Sequence, residues 1–191
     1  MIWSQKVIEK RWENQNISKI VVNAKWASKI SFSGEQNFSG VSIKYLSDGE
    51  YENNVIPKFR LYSEILYLNE DYSPTFSEYN DKLSAHKFVS SQIELTINSK
   101  ISLTLFANNT KISGKGTVNF LKINQNNGSC RLDKWKSEGE INTINADVFL
   151  LSEGIVLSAK SINGKVIAPK SDVIVGPVLK ISSLNGNIIH K

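Results

Sequence analysis

Few side chains in this 191-residue chain could do covalent or metal chemistry, and they are scattered. The one cysteine is Cys130, and the two histidines are His86 and His190. A cysteine nucleophile needs a base within hydrogen-bond reach. A zinc site needs clustered His, Cys or carboxylate ligands, and neither His-x-x-x-His nor Cys-x-x-Cys spacing occurs. Glu70, Asp71, Glu78 and Asp81 share one polar stretch. A glycosidase requires two facing carboxyls about 5–10 Å apart, but an acidic loop accounts for the same four residues. Their spacing matches no EF-hand loop. GKG at 114–116 lacks the Lys-Ser/Thr ending of a phosphate-binding loop, and there is no G-x-S-x-G elbow. The chain reads as a non-enzyme with no catalytic residue, no cofactor and no metal.

Aromatic residues offer a different chemistry. Tyr67, Tyr72, Phe76, Tyr79 and Phe88 lie in or beside the same stretch. They could form a platform for sugar rings, or pin a long loop onto a wall of the fold. Tyr72, Phe76 and Tyr79 are the candidate ligand contacts, together with Trp135 in LDKWKSEG. Trp135 would either cover the side of the fold or stand exposed at a contact surface.

The elements that must position these residues are strands. Segments 18–23, 29–33, 40–46, 86–97 and 101–106 are short and β-branched, with turn-like stretches between the first three. Segment 59–68 reads as a strand pair or one long strand, and 69–85 as an irregular excursion. The last third carries four gapless segments: INQNNGSCRL at 123–132, INTINADVFL at 141–150, AKSINGKVIA at 159–168 and ISSLNGNIIH at 181–190. Their first column is Ile123, Ile141, Ala159 and Ile181, and their fifth is Asn127, Asn145, Asn163 and Asn185. The sixth is Gly128, Ala146, Gly164 and Gly186; Asn-Gly suits turns that need positive φ. Cys130 shares its column with Val148, Val166 and Ile188, which reads as a small buried hydrophobe. His190 falls in an otherwise apolar column, the mark of an open stack end.

Self-similarity at a fixed period predicts stacked rungs. The expected fold is all-β, a single-stranded β-solenoid with about 18–22 residues per rung, the N-terminal half adding strands to the same stack. The expected divisions are an N-terminal segment, 1–17, as a possible cap; a β-rich half, 18–95, with the 69–85 excursion; and the repetitive solenoid, 96–191. Residues 1–99 have 11 basic and 12 acidic side chains, whereas 100–191 have 12 and 6. The lysines of the basic half are singly spaced, which suits solvated strands, so no nucleic-acid partner is expected. No apolar run is long enough to span a membrane, and MIWSQKVIEKRWENQ lacks the apolar region of a signal peptide.

The stretches SGKGTVNFLKINQNNGSCRL, EGEINTINADVFLL and VLSAKSINGKVIA resemble bacterial families of putative adhesins of unknown function, including the head domain of auto-transporter adhesins. The resemblance covers about residues 90–191, and 18–68 loosely. It implies a β-helix built of strand, Ser/Asn-Gly turn and strand, and a cell-envelope or secreted location. It brings no catalytic residues.

The function expected is a structural or interaction module with a protein or glycan ligand. The alternatives are a carbohydrate-binding or polysaccharide-acting β-helix protein and a self-associating intracellular scaffold. A homo-oligomer would form through an open solenoid end near Ile181 to Lys191, unless the Trp3 to Trp12 segment caps it.

Overall fold

The computed structural model describes residues 6–13, 15–48, 55–73, 90–169 and 175–191. They form one mixed sheet of 15 strands. The strands fall into two ladders that share their two longest members. In the first ladder, β5 (Val55–Tyr62), β6 (Ile65–Tyr72), β2 (Lys19–Ala24) and the first half of β8 (Ser102–Gly116) lie side by side. The first half of β9 (Leu121–Asp133), then β10 (Gly139–Thr143), β14 (Val178–Ser183) and β12 (Val156–Ser161) continue it. The second ladder runs β1 (Lys6–Trp12), β4 (Val41–Asp48), β7 (Ser90–Asn98), β3 (Ala27–Glu35) and the second half of β8. It ends with the second half of β9, β11 (Asp147–Leu151), β15 (Ile188–His190) and β13 (Val166–Ile167). Only the pairings β5–β6, β1–β4 and β4–β7 are antiparallel.

Period-two patterning makes these strands. β2 reads Lys19, Ile20, Val21, Val22, Asn23, Ala24, and its even positions are buried. Each buried residue then meets its counterpart on the next strand: Val22 faces Leu105, Leu105 faces Ile123, and Ile123 faces Ile141. Such columns join in one hydrophobic cluster that draws on both halves of the sequence, from Ile17 to Ile188. Strands such as β2 bury only one face, so the neighbours they pair with complete the core.

Residues in one sequence column are partners across adjacent strands. Ile123 pairs with Ile141, Ile141 with Ile181, and Ile181 with Ala159. The spatial order therefore departs from the chain order. β14 and β15 lie between β10/β11 and β12/β13, paired on both sides. This corrects the expected open end at Ile181 to Lys191. At this end of the sheet the unpaired edge among the described strands is that of β12/β13, where Ile162 and Ile167 are exposed. His190 is likewise buried, and its Nε2 lies 2.7 Å from the Ser152 carbonyl oxygen. The described part of the N-terminal segment includes β1, the edge strand at the opposite end of the sheet; Trp3 lies outside the described residues.

The asparagine column forms a side-chain ladder along one corner. Asn145 Nδ2 donates to Asn127 Oδ1 at 2.7 Å, Asn185 to Asn145 at 2.6 Å and Asn163 to Asn185 at 2.7 Å. The glycines beside it answer a different need from the one expected. Only Gly128 of that column has positive φ, at 108°. A Cβ on Gly186 would stand 2.0 Å from the Ala146 carbonyl oxygen, and one on Gly164 2.3 Å from that of Gly186. Close stacking of successive turns excludes the side chain there. Ala146 fits without strained φ, as its absence from the left-handed residues shows.

Segment 59–68 is a strand pair, turning at Ser63 and Glu64 with φ of 47° and 63°. The excursion begins later than the sequence suggests, since Asn69 to Tyr72 finish β6. Its remainder from residue 74 lies outside the described residues.

Cys130 is wholly buried, and that burial pushes its thiol up to about 12. A raised thiol in an apolar column is unreactive. Thiol-reactive dye at pH 8 should therefore leave native protein unlabelled and label it at once in denaturant; rapid native labelling would contradict the burial.

Candidate ligand-binding groove

The outward positions of the first ladder form a row in which amides surround one aromatic ring. From β5 to β12 the Cα partners are Lys58, Asn69, Asn23, Phe106, Asn124, Asn142, Ser182 and Lys160. They alternate with the buried columns, so the register that builds the core also aligns this row. Asn23 Nδ2 donates to Asn69 Oδ1 at 2.5 Å, and Asn126 Nδ2 donates to Asn108 Oδ1 at 3.0 Å. Asn142 donates to Glu140 at 2.7 Å and to Asn124 at 3.4 Å. Phe106 is 42% exposed between these amides.

A groove of about 570 Å³ lies over the row, with Asn23, Asn69, Phe106, Asn108, Asn124 and Asn126 in its lining. Its charged rim holds one ion pair and one further lysine, Lys25. Lys58 Nζ bonds Asp71 Oδ2 at 2.7 Å, and this contact holds the Asp71 carboxyl below its usual range. Lys25 Nζ stands 5.6 Å from the centre of the Trp26 ring. A larger cleft at Lys134, Lys136, Glu153 and Lys191 is edged by long exposed side chains and holds no exposed aromatic face.

Of the candidate contacts from the sequence, Tyr72 and Trp135 fall among the described residues. Tyr72 is exposed at the end of β6 and packs on Trp26, with ring centres 4.8 Å apart. Phe76 and Tyr79 lie outside the described residues. Trp135 covers the interior: it has no exposed surface, meets Phe32 edge-on at 5.7 Å and donates from Nε1 to the Ser137 carbonyl at 3.0 Å. A ring so enclosed offers no face to a ligand. Of the four carboxylates, Glu78 and Asp81 lie outside the described residues, and Asp71 is the ion-pair partner of Lys58.

Glu70 is buried and satisfied. Its Oε2 accepts from the backbone nitrogens of Trp26 at 2.7 Å and Ala27 at 3.2 Å. Its Oε1 accepts from the Tyr45 hydroxyl at 3.0 Å and from Ser91 Oγ. Burial, then the Glu70 carboxylate, push the Tyr45 phenol up. This carboxylate closes the corner between β2 and β3. Among the described residues, no group of three or more His, Cys, Asp or Glu could hold a metal ion.

In fold, the chain is similar to a putative cell adhesion protein from Clostridium sporogenes ATCC 15579, with a TM-score of 0.62 and 17% identity, over 98% of this chain and 100% of that one. A putative adhesin from Bacteroides fragilis NCTC 9343 aligns over 98% of both chains, with 10% identity and a TM-score of 0.46. No family model and no curated protein matches the sequence. At 17% identity the first likeness establishes a shared fold.

Sequence reading missed Phe106, Asn23, Asn69, Asn108, Asn124 and Asn126. A signal was present for two of them. Asn124 and Asn142 share the second column of the aligned segments, and Phe106 sits one residue after buried Leu105 in a β-rich segment. What the sequence withheld was the neighbour of each strand.

No helix among the described residues is long and apolar enough to cross a membrane. That statement does not bear on strands.

Proposed function

We propose that the chain is a non-catalytic, adhesin-like contact module, its two ladders the walls of a β-solenoid that works at the cell envelope or outside it. The observation that carries this reading is the in-register amide and aromatic row across the first ladder. Ladders of this kind present long surfaces to extended partners. Among the described residues, those singled out for chemistry are committed elsewhere: Glu70 to a corner, Asp71 to Lys58, and Cys130 and His190 to the interior. The name of the Clostridium neighbour agrees with a surface role.

The test is adhesion. Beads coated with the purified chain should bind intact epithelial or bacterial cells well above albumin-coated beads. Equal binding of the two bead types on every surface would overturn the reading.

A further inference from the structure

We infer that the groove over Phe106 binds a neutral glycan chain, laid across the strands along the amide row. The inference rests on the adhesin-like reading and names its ligand. Each asparagine side chain offers two N–H donors and a carbonyl acceptor, the complement of a sugar hydroxyl that both donates and accepts. The bonds from Asn23 to Asn69 and from Asn126 to Asn108 use one donor and one acceptor per pair. They hold the amides in place and leave further donors and acceptors for a ligand, which lowers the ordering cost of binding.

Phe106 supplies the apolar half of the site. A pyranose ring has one face rich in C–H groups, and an aromatic ring exposed among amides suits it. Singly exposed apolar residues are ordinary on a protein surface; Phe106 is set apart by its place in the row. Its partners in register are Asn23 on one side and Asn124 on the other, and Asn108 and Asn126 join the same groove. Neighbouring strands repeat every 4.7–4.9 Å or so, so the row presents its groups at regular steps to a polymer that also repeats.

Charge decides between glycan classes. A sulfated or uronate chain, like a nucleic acid, needs cations free to meet its anions. Lys58 is paired with Asp71, and the lining holds one further lysine, Lys25, beside Trp26. No dense basic surface remains at the groove, which favours an uncharged chain.

The test is titration calorimetry of the purified chain with neutral hexasaccharides (cellohexaose, laminarihexaose, mannohexaose) beside heparin and polygalacturonate. At least one neutral chain should bind. Phe106→Ala should weaken that binding at least ten-fold, Asn124→Ala several-fold, and Phe106→Trp should retain it. Ile162→Ala, on the far edge, should leave it unchanged. Circular dichroism melts confirm that each variant is folded. Binding of anionic chains alone, of no neutral chain, or equal binding by Phe106→Ala overturns the inference. Coated beads separate this failure from that of the wider reading. If Phe106→Ala beads adhere as well as the native ones, the module stands and the groove assignment falls. If native beads do not adhere, the module itself falls.

Discussion

Trp135→Ala should lower stability by about 3–5 kcal/mol, the range for removing a large aromatic from a core. The indole has no exposed surface and meets Phe32 edge-on, with planes at 88°. Phe32 fits there because Gly114 opposite has no side chain; a Cβ on Gly114 would lie 2.2 Å from Phe32 Cζ. Gly114, Phe32 and Trp135 thus come from β8, β3 and the turn after β9, and form one packed column. Truncating the indole removes the edge-to-face contact, worth about 0.5–1.5 kcal/mol beyond its area. It also orphans the Ser137 carbonyl that Nε1 serves. Urea melts followed by far-UV circular dichroism measure the loss. A loss below about 1 kcal/mol would mean that the ring is not packed as described. Phe106→Ala, at an exposed position, should shift the same melt little.

Glu70→Ala should cost nearly as much, about 3–5 kcal/mol, for a different reason. It leaves the part-buried N–H of Trp26, the buried N–H of Ala27, a phenol and a serine hydroxyl without their acceptor, and an orphaned buried donor costs about 1–3 kcal/mol. Glu70→Gln should be milder by about 2 kcal/mol. Its carbonyl oxygen can still take the N–H groups of Trp26 and Ala27. Its amide nitrogen can donate to Tyr45 and Ser91, whose hydroxyls rotate to accept. Equal losses for the two variants would show that the negative charge, and not the pattern of acceptors, is what the corner requires.

The strand content was legible because burial follows period two, and the column alignment was legible because equivalent residues face one another. Ile123, Ile141, Ile181 and Ala159 stand in one column in both sequence and structure. Their order along the stack was not legible. Parallel pairing on the left or right neighbour satisfies the same alternation, so nothing in ISSLNGNIIH says that it enters between two earlier segments. The antiparallel strands β4 and β1 were obscure for a related reason: a strand's pattern records its buried face, not its direction. Trp135 was ambiguous because an aromatic residue after a turn suits a core or a surface equally. The amide row was hidden because it is assembled from strands far apart in sequence, such as Asn69, Asn23, Phe106 and Asn124.

The placement of β14 and β15 also bears on how the chain leaves the ribosome. Synthesis delivers β12 and β13 before the strands that come to separate them from β10 and β11. Until residues 178–190 emerge, a nascent chain cannot satisfy β12 from its native side, and the edges of β10 and β11 are open. Strands that pair in order of translation can close as they appear, but this pair has to wait. A chain stalled before residue 178 would carry two bare strand edges, the kind of surface that recruits other unfinished chains.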